Sequence, residues 1–190
     1  MKKINLLILT LVILLTSIPV FSQGFIPPSG SNAVVYFIRV SNYGGTTSFE
    51  YFHNEKFIGI FKGKNYMRYE CPEGENLLWA SSEDKEFLKC NFKAGETYIV
   101  LVNIEMGVWK ARVGLEPITY DNENFARAKT LVNNKKPIIT PESKIQSTQK
   151  KLNDRGFIKN IMTRYQNEWK NAGNTKEISR DMYIPKEKLK

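Results

Sequence analysis

His53 is the one histidine in a chain of 190 residues. A Ser-His-Asp triad, a Cys-His pair or a multi-histidine metal site would therefore have to be built around it. It stands beside Asn54 at the tip of an expected hairpin, where a polar turn residue is the plainer role for an isolated titratable group. The enzymatic alternative is a hydrolase that pairs His53 with a nearby carboxylate. Neither a Gly-x-Ser-x-Gly elbow nor a His-Glu-x-x-His pair occurs. The stretch from Gly59 to Gly63-Lys64-Asn65 fails as a phosphate loop, because it is one residue short, lacks the magnesium-binding hydroxyl and sits between strands. The acidic runs Glu83-Asp84-Lys85-Glu86 and Asp121-Asn122-Glu123 lack the alternation and glycine of a calcium loop and read as solvated turns. No catalytic constellation, metal site or cofactor site is expected.

Two further groups of residues carry chemistry. Cys71 and Cys90 are the only cysteines and do not form a Cys-x-x-Cys motif. Alternation puts both on buried strand faces, so they are expected either to form a disulfide or to remain inert core thiols. Farther along, Arg155, Lys159 and Lys170 fall within about 60° of one another if residues 142–172 form one helix at about 100° per residue. They flank an apolar stripe of Ile158, Ile161, Met162, Tyr165 and Trp169. Such a helix either docks on its own protein or lies on an anionic surface.

The elements that must position these residues follow a leader. Met1-Lys2-Lys3 is a basic start, Leu6 to Leu15 is an apolar run too short to cross a bilayer, and Val20-Phe21-Ser22 suits a signal peptidase. The chain is expected to be exported to the periplasm or beyond, with Gln23 as its new N-terminus. No cysteine follows the cut to carry a lipid, so a lipoprotein is not expected. Residues 23–32 read as a linker. Eight short runs then follow at regular spacing: Ala33–Val40, Phe49–His53, Lys56–Phe61, Asn65–Cys71, Glu75–Ser81, Lys85–Phe92, Glu96–Ile104 and Val108–Leu115. That rhythm predicts an all-β sandwich of about eight antiparallel strands over residues 33–119. Tyr98 to Val102 is apolar on both faces, as a central strand covered on each side would be.

Beyond residue 120 the pattern turns helical. A short helix and a proline-containing linker are expected over 120–141, an amphipathic basic helix over 142–172 and a flexible tail over 173–190. The net charge of +9 is unevenly placed: +2 in residues 1–23, −1 in 24–120 and +8 in 121–190. This division predicts a β-domain that folds without its basic extension. An exported chain without a recognition motif is not expected to bind nucleic acid.

The opening Val35-Tyr36-Phe37-Ile38-Arg39, Gly59 ahead of Gly63-Lys64-Asn65-Tyr66, Pro72-Glu73-Gly74 and Ala94-Gly95-Glu96-Thr97-Tyr98 resemble the bacterial envelope domains catalogued as domain of unknown function 2846. The resemblance spans Val34 to Pro117. It implies a sandwich in the cell envelope and no known reaction. Where the family usually has Asp-Gly in the first hairpin turn and a histidine after the Pro-Gly turn, this chain has His53-Asn54-Glu55-Lys56 and Glu75-Asn76. The expectation is thus a non-catalytic binding or structural module of the envelope. Its partner would be an envelope protein or an anionic envelope surface, with peripheral membrane contact as one form.

Overall fold

Strand β1 (Asn32–Ile38) is buried along nearly its whole length, and its alternation divides the molecule into layers. Ala33, Val35 and Phe37 enter one apolar cluster, while Val34, Tyr36 and Ile38 enter another on the opposite face. Strand β7 (Thr97–Met106) divides the same way, with Tyr98, Val100 and Val102 on one side and Ile99 and Leu101 on the other. The computed structural model describes residues 24–106, 111–173 and 175–190. The expected leader and its cut before Gln23 lie outside the described residues, as do the end of the turn after Met106 and the expected strand start at Val108.

The chain is mostly β, in two sheets. The first has the order β4-β1-β7-β8, with β4 at Tyr66–Pro72 and β8 at Ala111–Ile118. The second has the order β3-β2-β5-β6-β9, with β2 at Ser48–His53, β3 at Lys56–Lys62, β5 at Gly74–Ser81, β6 at Lys85–Phe92 and β9 at Lys176–Ile178. All eight expected strands are present. Two corrections apply: a ninth strand is added from the C-terminal segment, and the β1–β7 and β6–β9 pairings are parallel. The parallel β1–β7 pair follows from the intervening chain, which leaves the first sheet to build β2 and β3, returns for β4 and leaves again for β5 and β6. Inner-face residues of both sheets, among them Val35, Val100, Tyr51, Leu78 and Leu88, share one apolar cluster.

The basic C-terminal third does not hang off this body. Helix α1 (Phe125–Asn134) places Ala128, Leu131 and Val132 on the outer face of the first sheet, against Val34, Tyr36 and Ile38. The outer face of the second sheet is aromatic, with Phe52 and Trp79 stacked at 3.8 Å between ring centroids. It is covered by helices α2 (Glu142–Asp154) and α3 (Phe157–Arg164) and a π-helical turn (Tyr165–Trp169). Each such ring gains roughly 1.5–3 kcal/mol on leaving water, so these helices belong to the core that holds the sheets.

The single helix expected over 142–172 is broken. Gly156 adopts φ 64°, donates its N–H to Asn153 O (2.8 Å) and so ends α2 before α3 begins. The π turn follows, closed by the Lys170 N–H to Tyr165 O bond (2.8 Å). It brings Tyr165 and Trp169 both against Phe87, at 4.6 and 5.4 Å.

The segment between α1 and α2 is a strap across the side of the molecule where β4 and β3 are edge strands. Ile138 N–H donates to Tyr66 O (2.8 Å), and Thr140 Oγ1 accepts from Ile60 N–H (3.0 Å), so both edges gain partners. Gly59 is required there, because a Cβ at that position would lie 2.7 Å from Met67 Sδ and 3.0 Å from Thr140 Oγ1. On the opposite side, where frayed residues were expected, β9 pairs with β6 and buries Ile178 between the sheets. Ile184 reaches the outer face of the first sheet and donates its N–H to Thr97 O (2.8 Å). Lys176 with Glu86 (2.8 Å) and Arg180 with Glu73 (2.6 Å) fasten this arm at its exposed rim.

Candidate functional site

His53 is not a solvated hairpin tip. It ends β2 half-buried, and its ring bridges the two sheets: Nδ1 lies 3.0 Å from Tyr69 Oη on β4, and Nε2 lies 2.8 Å from Asn76 Oδ1 on β5. The Asn76 amide nitrogen donates to Pro72 O (3.0 Å) and Gly74 O (2.8 Å), which fixes Oδ1 as the atom facing the ring. Nε2 must then carry the proton and donate it, and Nδ1 accepts from the Tyr69 hydroxyl. Burial pushes the Tyr69 phenol up to about 12, keeping it a donor. Burial also holds the His53 pKa below its ordinary value, against the opposing pull of the Asn76 bond and with help from Lys56. A cleft of about 600 Å³ at this corner also has Glu55 and Glu142 in its lining. Both ring nitrogens of His53 are nonetheless engaged by an amide and a phenol.

Next to this corner lies a second cleft, of about 780 Å³, on the outer face of the second sheet. It arises where the aromatic half of that face, under the helices, gives way to a polar half. Glu75 pairs with Asn91 and Leu77 with Lys89 across the β5–β6 ladder, so these four share the outer face and form the floor. Met162, Gln166 and Lys170, four residues apart along α3 and the π turn, form the wall. The arm closes the far rim with Glu177, Ser179 and Arg180. The Asn54 turn, with φ 50°, sits between the two clefts. Its N–H donates to Leu77 O (2.8 Å) and its carbonyl accepts from Trp79 Nε1 (2.7 Å), which holds the floor in place.

The charges around this cleft are only partly spent. Lys89 lies 3.7 Å from Glu177, and Arg180 is held by Glu73. The side chains of Glu75, Asn91, Gln166 and Lys170 make no hydrogen bond or ion pair among the described residues. Chemically the cleft offers free amide donors and acceptors, one free ammonium and one free carboxylate beside an apolar patch.

The cations expected to form one face are separated by the helix breaks. Arg155 caps α2, Lys159 lies on α3 and Lys170 follows the π turn, so the constant 100° step that aligned them does not hold. All three are exposed, and Lys170 alone lines the cleft. The apolar stripe beside them is docked, with Ile158, Ile161 and Tyr165 buried against Phe87 and Trp79. Cys71 and Cys90 lie in the same inter-sheet cluster as free thiols, not as the disulfide that alternation allowed. Cys90 Sγ is turned along its own strand, 3.5 Å from Leu88 O. Burial pushes the Cys71 thiol up to about 12 and raises Cys90 as well, so neither is a nucleophile at neutral pH.

Among the described residues no group of three or more metal-ligating side chains occurs, and no helix is long and apolar enough to cross a membrane. The acidic run from Glu83 to Glu86 makes solvated ion pairs, Asp84 with Arg112 (2.8 Å) and Glu86 with Lys176. No family model matches the chain and no curated protein is similar to it. Sequence reasoning did not find the cleft, because its floor, wall and rim come from strands and a helical turn about 90 residues apart and share no spacing.

Proposed function

We propose that this protein is an exported, non-catalytic binding or structural module of the bacterial cell envelope, a β-sandwich that presents the cleft between β5, β6 and the π turn. The observation that carries the reading is the cleft itself, in which several exposed polar side chains have no partner among the described residues. The adjacent histidine, in contrast, has both nitrogens committed to one. A general base needs a free nitrogen within reach of the proton it removes, and His53 has none without breaking its bond to Tyr69 across the sheets or to Asn76 within its own. The short apolar leader and the turn motifs shared with envelope domains support the cellular address. The basic helices support contact with an anionic surface through exposed charge rather than insertion, since their apolar stripe is already packed.

The test is to incubate the purified protein with soluble fragments of envelope material and follow their composition. Binding with the fragments recovered unchanged, in the wild type and in His53→Gln alike, is expected. Turnover that disappears in His53→Gln would establish the hydrolase instead. Fractionation with intact-mass measurement checks the address, with a chain beginning at Gln23 outside the cytoplasm as the expected species.

A further inference from the structure

We infer that the side of the molecule crossed by the strap is a docking face for an anionic phospholipid leaflet. The inference rests on the reading of an exported envelope protein and not on the cleft beside the π turn. Residues 24–49, 56–69 and 124–141 contain no aspartate or glutamate, and the fold brings them together here. Lys64, Arg127 and Lys135 line a cleft of about 390 Å³ between α1 and the turn from β3 to β4, with only neutral residues beside them. All three are exposed, and their partners are uncharged: Arg127 donates to Asn124 Oδ1 (3.0 Å), and Lys135 Nζ donates to Lys64 O (2.6 Å). The flanking acids do not cancel them. Glu123, one turn ahead of Arg127, faces Asn124 (3.4 Å), and Glu142 lines the His53 cleft and accepts from Gln146. With Lys62 also exposed there, the face keeps a positive surplus even when Glu123 is counted. The strap sets an apolar pair beside these cations. Ile138 N–H is tied to Tyr66 O and Thr140 Oγ1 to Ile60 N–H, and Ile139 between the two anchors stands 79% exposed. Four residues of chain, a span of at most about 14 Å, separate it from Lys135, so one flat surface can meet both. Fixed cations next to an exposed aliphatic side chain match a leaflet, whose phosphates and acyl chains lie in adjacent layers. A second copy of the same face would repel it. A stable protein partner would cover roughly 800 Å² and need more apolar surface at its centre than two isoleucines.

The experiment is co-sedimentation of the full purified chain with vesicles of phosphatidylcholine, alone or mixed with phosphatidylglycerol. Binding to the mixed vesicles that falls as salt is raised is expected, with at least about tenfold weaker binding to phosphatidylcholine alone. Lys64→Glu with Arg127→Glu should weaken binding to the mixed vesicles at least about tenfold. Ile139→Ser should weaken it at least about fivefold, through lost aliphatic contact. Arg155→Glu with Lys159→Glu, on the helices over the other sheet, should change it less than about twofold. All the replaced side chains are exposed, so an unchanged thermal transition reports that each variant is folded. Equal binding to both vesicle types overturns the anionic class. Loss with the Arg155 pair but not with the Lys64 pair moves the contact to the other helices and overturns its assignment to the strap. Inorganic phosphate that releases the protein better than chloride at equal ionic strength would make the cleft a site for free phosphate, and a dimer that Ile139→Ser dissolves would give the strap to a second copy; either overturns the proposal. No binding to either vesicle overturns it too, while fractionation and intact mass of the exported chain decide separately whether the envelope reading stands.

Discussion

Asn76 Oδ1 sits 2.8 Å from His53 Nε2, and because the nitrogen of that amide already donates to two carbonyls, the histidine is the donor in the contact. Burial favours the neutral ring against the pull of that bond, and the other nitrogen accepts from Tyr69 on the opposite sheet. The residue that most resembles a catalytic group in the sequence is in the fold a clamp between the sheets.

A pH dependence follows from this clamp. With the folded pKa below the ordinary 6.5, the unfolded chain binds the proton first as pH falls. The stabilisation by the neutral ring is present above 6.5 and is lost as pH drops from there through the folded pKa. Urea unfolding across this window should show declining stability in the wild type and a flatter profile in His53→Gln. Glu70, which the Ser29 hydroxyl and Arg68 hold down to about 2, acts in a separate window, losing its contribution as pH falls from 4.5 toward 2.

The two cysteines should be silent in the native protein. A thiol reagent is expected to label neither Cys71 nor Cys90 before unfolding and both afterwards, with no reductant added. Zero thiols after unfolding would mean that the two are bonded.

How much was legible in the sequence depended on the length of the pattern. β1 and β7 were readable because their apolar runs are short, rich in β-branched and aromatic residues and bounded by turn residues. The Asn54 turn was readable because asparagine tolerates positive φ. Gly156 was misread inside a long helical pattern, although Asn153-Asp154-Arg155-Gly156 carries the ordinary signal of a helix end. Strand β9 was not legible, since three residues show no period and only Ile178 among them is apolar. Charge also misled: the excess of basic residues in the last third describes its solvent-facing side, while Leu131, Ile158, Tyr165 and Ile184 decide where it packs.

Replacement of Gly156 tests the helix break. A Cβ at φ 64° is strained, and Gly156→Ala should cost about 1 kcal/mol in chemical denaturation, with no change in thiol exposure.

Truncation after Thr119 should not leave a stable domain, contrary to what the charge division alone predicts. It would strip the cover from Val34, Tyr36 and Ile38 on one sheet and from Phe52, Trp79 and Phe87 on the other. The truncated chain is expected to aggregate and to lack the cooperative thermal transition of the full chain.

The cleft exists only if the C-terminal third is folded onto the second sheet, because α3, the π turn and β9 supply its wall and rim. Native-state hydrogen exchange on the full chain measures this directly. The expected result is that amides of α3 and of Lys176–Ile178 exchange slowly, together with those of β5 and β6. Free exchange of residues 157–180 beside a protected pair of sheets would mean that the cleft does not exist in solution, and would contradict the binding role assigned to it.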